Sequence, residues 1–472
     1  MKSIKLILLI FISFMLISCS KETATYEVTF LDIDGNIIEV KNVEEGTTVI
    51  PPIAPTIKYY NFIEWDQELT NIRQNITTQA IYEKSTEVYE MTDYNYWLRI
   101  LNDKCDIDSP LMTKEEIDAY NKLIVNGYSD TNVVDVKSLD KKSNKNYVIE
   151  MINGYNKLNR YNIYNNETNK LITTEEKDNI LNNRNLDNIN SFIEVRYGII
   201  TDFAWLRAYP TNFYASSYSR DQFQETSLNV GEVIAIYHTS LDDNWYFVQA
   251  TNYCGWIESK YVGICSYEEM VNFDNAENKL VVISDYVEIN GSHVRMGQSF
   301  PLLASNEKYT ILFPSRTLNG SAEFKTIEIA KTNDYSNGYL TYNYDNLYKQ
   351  AFKLLDIEYS WGDKEKLGRD CSSTQNSIYA CFGFKLPRNT SNQNSIPTYG
   401  EKLNNITISN IKQMYKPGTL IFSSGHVMMY IGETEDGIAH ILHNTSAGDG
   451  KCIIQSISSY GINKIIGALK LQ

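Results

Sequence analysis

The chain is poor in histidine and cysteine, with five and seven in 472 residues, and no two cysteines stand in a CxxC pair. The cysteines after Cys19 are scattered from Cys105 to Cys452. A small exported domain stapled by disulfides would be far denser in cysteine, so free and mostly buried thiols are expected. Basic residues are outnumbered, 43 against 58 acidic ones, giving a net charge of −15 and a pI near 5.0. With no Lys/Arg cluster to meet phosphates, a nucleic-acid partner is excluded. No apolar run reaches the roughly 20 residues that a membrane-spanning helix needs.

What is present is a long, folded composition, 43% hydrophobic and 12% aromatic. That length exceeds what one core supports and predicts about three to five units. At the start, Lys2 and Lys5 precede an apolar run of about a dozen residues, as in a secretory leader. The run ends in Leu16-Ile17-Ser18-Cys19, which resembles a bacterial lipobox. That resemblance implies acylation of Cys19 after removal of a leader spanning 1–19, and an exported protein held on a membrane by lipid.

Residues 25–83 alternate apolar and polar positions between Gly, Pro and Asp-Gly turns, which predicts a small β-rich module. The order Asp34-Gly35, Gly46, Pro52, Pro55, Tyr60, Phe62, Trp65, Ala80, Tyr82 resembles the Listeria–Bacteroides repeat, which implies a surface-protein partner for this module. The "DIDGN" turn is no EF-hand, because the twelfth position from Asp32 is Val43 where a carboxylate is required. From 86 to 190 the spacing turns helical, with a capping box at Thr113 and Glu116. This stretch resembles the stabilising segment that precedes SH3 domains in some cell-wall peptidases, and it carries no evident chemistry. Short strands return over 191–268, where Leu206-Arg207, Pro210-Thr211, the "LDDNW" turn and Gly255-Trp256 resemble a bacterial SH3b domain. A weaker β block over 275–335 is expected to be a second one. Trp245 and Tyr246 could serve either core or wall contact.

The chemistry concentrates in 340–472. "DNLYKQAFKLLDIEYSWG" and "CSSTQNSIYACFGF" have apolar residues at helical spacing, and Asp370 is a good N-cap, so Cys371 falls in a first helical turn. Unpaired amides and the helix dipole there favour a thiolate. Peptide hydrolysis also needs a base, and three of the five histidines, His426, His440 and His443, cluster within one eighteen-residue stretch further along the chain. "HVMMYIGE" and "IAHILHNTS" read as two strands around the "TEDG" turn. His440 and His443 are an odd number apart, so at most one of them shares the His426 face.

The order of "YSWG", "RDCSS", "KLPRNTSNQ", "YKPGTLIF", "GHVMMYIGE" and "ILHNTSAG" resembles the catalytic domain of the NlpC/P60 family. With the preceding β blocks it is similar to the family's γ-D-glutamyl-L-diamino acid endopeptidases. The resemblance implies a multidomain α+β architecture: a papain-like catalytic domain, two small SH3-like β-barrels, a helical N-terminal scaffold and the β-rich surface module. It implies Cys371 as nucleophile, His426 as general base and His443 as its orienting partner. Tyr359 would donate near the oxyanion and Trp361 would wall the pocket. Asp370 and Ser372 would hold the substrate's ammonium and carboxylate, and Thr390 stands where a serine often contributes to the pocket. Peptidoglycan stem peptides or released muropeptides are the implied partners, and neither cofactor nor metal is needed. Two departures, Pro417-Gly418-Thr419 for the usual "PGD" and Asn389 where an acidic residue is also seen, bear on pocket preference. Other readings of the same residues are an amidase of the related CHAP type and a non-catalytic, wall-binding lipoprotein.

Overall fold

The computed structural model describes residues 23–33, 35–55, 60–84, 90–127, 132–217, 220–396 and 399–471. The expected leader, Cys19 and Asp34 lie outside them. The chain divides into two units, Met1–Glu90 and Met91–Gln472.

In the first unit the strands Thr25–Leu31, Ile37–Glu44, Tyr60–Trp65 and Ile76–Lys84 form one sheet in the order second, first, fourth, third. Alternation in "YEVTF" places Val28 and Phe30 inward, where they are fully buried with Val49 and Ile72, and Phe30 meets the edge of Trp65 at 4.9 Å. The Asp32 carboxylate accepts the backbone N–H of Asn36 at 2.8 Å, so "DIDGN" is a hydrogen-bonded turn.

In the second unit the expected helical segment forms the helices Tyr94–Asn102, Lys114–Gly127, Lys145–Asn153 and Thr174–Asn183. Thr113 and Glu116 make the capping box, with bonds of 3.2 and 2.8 Å. This segment is divided between two cores. Trp97, Ile117, Tyr120 and Ile124 pack with Leu347, Ile378 and Phe422 of the carboxy-terminal part. Val136, Val148 and Ile152 pack instead with Tyr197, Phe247 and Trp256 of the following β region.

That β region is a seven-stranded sheet running from Gln224–Leu228 at one edge to Val262–Cys265 at the other. Closed barrels were expected here, and none is found among the described residues. The reason is visible at the edges, which pair outward rather than with each other. Beside the first, Gln224 Nε2 donates to Gly362 O at 3.0 Å and Ser227 Oγ to Asp363 O at 2.8 Å. At the second, Ile264 N donates to Gly320 O at 2.9 Å. Both edges are thereby covered. Trp245 is a core residue, and Tyr246 lies under Arg196. The block expected to be a second barrel is an open five-stranded sheet with a separate hairpin, Tyr286–Ile289 and Ser292–Arg295.

The carboxy-terminal part lays the helices Tyr344–Lys353 and Cys371–Ala380 against a six-stranded antiparallel sheet. The sheet order is Gly400–Lys402, Gly467–Leu469, Leu420–Ser423, His426–Glu433, Ala439–Asn444, Cys452–Ser456. No disulfide joins the described cysteines; Cys371, Cys381 and Cys452 are buried, whereas Cys254 and Cys265 are half-buried and Cys105 is exposed, against the expectation of mostly buried thiols.

Candidate active site

Asp370 caps the helix Cys371–Ala380 by accepting the Ser373 N–H at 2.9 Å, which fixes Cys371 as the first helical residue. The sulfur is 3.7 Å from Thr390 Oγ1, and the backbone N–H of Val427 also points at it. Val427 follows His426, so the strand that carries the expected base abuts the thiol. Cys371 is only 6% exposed. Burial, reinforced by the adjoining Asp370 carboxylate, pushes its thiol up to about 11. Burial of the thiolate thus opposes the lowering expected from its place at a helix start.

His426 Nε2 lies 2.7 Å from His443 Nδ1, and His443 Nε2 lies 3.1 Å from Gln455 Oε1. A carboxamide oxygen only accepts, so His443 donates from Nε2 and, when neutral, accepts at Nδ1. His426 must then donate from Nε2, which leaves Nδ1 as its one lone pair. Burial holds both rings neutral, lowering His426 to about 3, with the neighbouring His443 adding to the effect, and His443 to about 4. Tyr460 stacks on His426 at 6.1 Å, meets His443 edge-on at 5.7 Å and shares a 2.5 Å hydrogen bond with Ser423. His440 points to the other face, bonded to Ile438 O at 2.8 Å and against Trp97 at 5.5 Å. The alternation argument therefore resolves on His443.

Asp370, expected to hold a substrate ammonium, has partners within the chain. Arg388 grips it with both guanidinium nitrogens, at 3.1 and 2.7 Å, while Ser372 Oγ donates to it at 3.1 Å and Gly362 N at 3.2 Å. Ser372 also accepts from Arg388 at 2.9 Å. These groups satisfy one another, and Arg388 extends to Thr226 Oγ1 at 2.6 Å in the β region. Tyr359 and Trp361 lie beneath Arg220, whose guanidinium is 5.6 and 4.9 Å from their ring centres. Gly362 has φ +59°, and a Cβ there would meet the Gln224 side chain at 2.9 Å and its carbonyl at 3.1 Å. Only glycine lets the two walls approach so closely.

Sequence reasoning missed Gln455, Tyr460, Arg388 and Arg220. Gln455 had a readable signal, because Ile453 pairs with His443 and residue 455 lies two further along on the same face.

A buried thiol at a helix start, facing an antiparallel sheet that carries a histidine pair, defines a papain-like cysteine hydrolase arrangement. Comparison with known proteins places it more closely. Residues 356–466 match the NlpC/P60 family model, and residues 209–258 match an SH3 domain of the SH3b1 type. The chain therefore carries an NlpC/P60 cysteine peptidase domain beside an SH3b-type domain. Its fold is similar to that of an NlpC/P60 endopeptidase from Photobacterium damselae subsp. piscicida, with a TM-score of 0.60 and 17% identity, covering 77% of this chain and 94% of that one. An NlpC/P60 family protein from Bacillus cereus aligns at a TM-score of 0.45 and 20% identity over 58% of this chain and 99% of that one. Dipeptidyl-peptidase 6 of Lysinibacillus sphaericus is 30% identical over 90 residues, which is 19% of this chain and 30% of that protein's length.

Proposed function

We propose that the chain is an exported cell-wall peptidase that hydrolyses the γ-D-Glu–diaminopimelate bond of peptidoglycan stem peptides, held on a membrane through an acylated Cys19. The observation that carries this reading is the relay from Gln455 through His443 to His426 beside the buried thiol of Cys371. Cys371 Sγ attacks the scissile carbonyl while its proton passes to His426 Nδ1. The tetrahedral adduct collapses, the C–N bond breaks, and His426 returns that proton to the leaving amine. Water, deprotonated by His426, then cleaves the thioester to the carboxylate and regenerates the thiol. His443 accepts from His426 Nε2–H and fixes the ring, as the third member of such relays does. Tyr359, protonated because burial pushes its phenol up, donates toward the developing oxyanion.

Substrates of modest size fit this reading best. The SH3b-type region is tied to the cleft by Trp205 Nε1 donating to Lys364 O at 2.8 Å, by Arg388 on Thr226 and by Arg220 on Ser446. Such a wall favours released muropeptides over cross-linked wall. Residues 25–83 would add a contact to a surface protein.

The shifted groups give a pH signature. Alkylation of Cys371 by iodoacetamide, followed by peptide mapping, is expected to climb through neutral pH toward about 11 without levelling. Turnover is expected to persist well below the ordinary histidine pKa of about 6.5, because the buried rings stay uncharged there. It falls only as His443 and His426 take up protons near about 4 and about 3, when the base is lost. An alkylation plateau already reached in acid would mean a standing thiolate–imidazolium pair instead.

The function itself is tested by incubating the purified chain with L-Ala-γ-D-Glu-diaminopimelate and with intact wall. Release of diaminopimelate, seen by mass spectrometry, is the expected result. Cleavage only at the sugar–alanine amide, or saturable wall binding without turnover, would overturn the assignment.

A further inference from the structure

Arg220 enters the cleft from the SH3b-type side on a hairpin, Tyr214–Ser217 with Arg220–Asp221. The residue after Arg220 is tied to the underlying sheet. Asp221 accepts from the buried Arg207 at 3.1 Å and from the backbone N–H groups of Ala215 and Phe223 at 3.2 and 3.0 Å. The Arg220 guanidinium then lies over Trp361 and Tyr359 and donates one hydrogen bond, from Nη2 to Ser446 Oγ at 2.6 Å. Ser446 is exposed, and Trp361, Tyr359 and Arg220 are half-buried, so solvent reaches this corner. A guanidinium has five N–H donors in a planar fork, and among the described residues this one has a single hydrogen-bond partner.

The other arginines around the cleft are saturated. Arg388 is gripped by Asp370, Ser372 and Thr226. Arg295 donates to the carbonyls of Glu365, Lys366 and Gly368. Arg369 is paired with Asp285. Among the described residues no carboxylate pairs with Arg220. Arg220 thus sits on two aromatic faces with no anion among the described residues. Tyr359 bridges to Arg369, and Gly362, next to Trp361, donates to Asp370 at 3.2 Å, so this corner adjoins the start of the Cys371 helix.

We propose that Arg220, with Ser446, forms a carboxylate-binding subsite at the mouth of the Cys371 cleft and selects peptides bearing a free carboxylate beside the scissile amide. The fork accepts both carboxylate oxygens while Trp361 and Tyr359 hold its plane, and the Ser446 hydroxyl turns to donate. This rests on the peptidase reading of Cys371. Two carboxylates could fill the subsite, the α-carboxylate of the γ-linked glutamyl residue or one on the diamino acid.

The test measures binding to the Cys371→Ala chain by calorimetry, for L-Ala-γ-D-Glu-diaminopimelate and for two peptides, one amidated at the glutamyl α-carboxyl and one at both diaminopimelate carboxyls. Arg220→Gln is expected to weaken binding of the free acid about 10- to 100-fold, as loss of a charge-assisted bidentate contact does. It is expected to leave binding unchanged for whichever amidated peptide lacks the recognised carboxylate, which identifies it. Arg220→Lys, keeping charge without the fork, should recover part of the loss. In the active chain the same preference should appear in kcat/KM. Equal losses for all three peptides, or no loss, would overturn the subsite and reduce Arg220 to a strap between walls. If the unsubstituted chain cleaves none of the peptides and the Cys371→Ala chain binds none, the peptidase reading itself fails, and the subsite with it.

Discussion

Cys371→Ala is expected to lower kcat for diaminopimelate release by about four to six orders of magnitude, the scale on which removing a nucleophile from a cooperating triad acts. The helix start survives the change, because the cap comes from Asp370 and not from the thiol. Circular dichroism and thermal unfolding should therefore match the parent chain closely. Cys381→Ala and Cys452→Ala give the contrast. Both thiols are fully buried in the core, so their loss should cost stability and leave kcat nearly intact. Undiminished hydrolysis in Cys371→Ala would mean that another group is the nucleophile.

Arg388→Ala is expected to be the most destabilising single substitution around the cleft, by about 3–5 kcal/mol, since it strands a buried carboxylate. Asp370 is 7% exposed. Its burial alone would push its carboxyl up, yet the Arg388 charge and the hydrogen bonds to Arg388, Ser373 and Ser372 hold it below the usual range. The sign of the pH dependence follows. In the parent, this depressed carboxyl adds stability above its unfolded pKa, and the contribution is lost as pH falls through the lower folded value. In the variant the carboxyl rises instead, so the stability deficit is largest at neutral pH and shrinks on acidification. Urea melts of the two chains at neutral and acid pH check this. Arg388→Lys cannot reproduce the two-pronged grip and should recover only part. A deficit independent of pH would refute the account of Asp370.

Much of the site was legible because it rests on local periodicity. The cap at Asp370 placed Cys371 on a helix start, and strand alternation alone allowed only one of His440 and His443 beside His426. What stayed hidden depends on neighbours far away in the chain. The thiol's raised pKa comes from burial, which spacing does not report. Arg388 read as part of the "KLPRN" segment, and nothing local shows that it spans Asp370 and Thr226. Arg220 sits on a hairpin whose place over Trp361 is set by packing between regions. The expected barrels failed for the same reason: strands of the right length and alternation were present, but whether a sheet closes depends on what its edges meet.

The split allegiance of the helical segment bears on how such a protein could be cut or recombined. A fragment beginning near residue 340 would strip Trp97, Ile117, Tyr120 and Ile124 from the face on which Leu347 and Ile378 rest. It would leave a greasy wound prone to aggregation. The stretches that carry recognisable chemistry are therefore not the stretches that are transplantable, and a graft or truncation that respects thermodynamics has to keep the whole of 91–471 together.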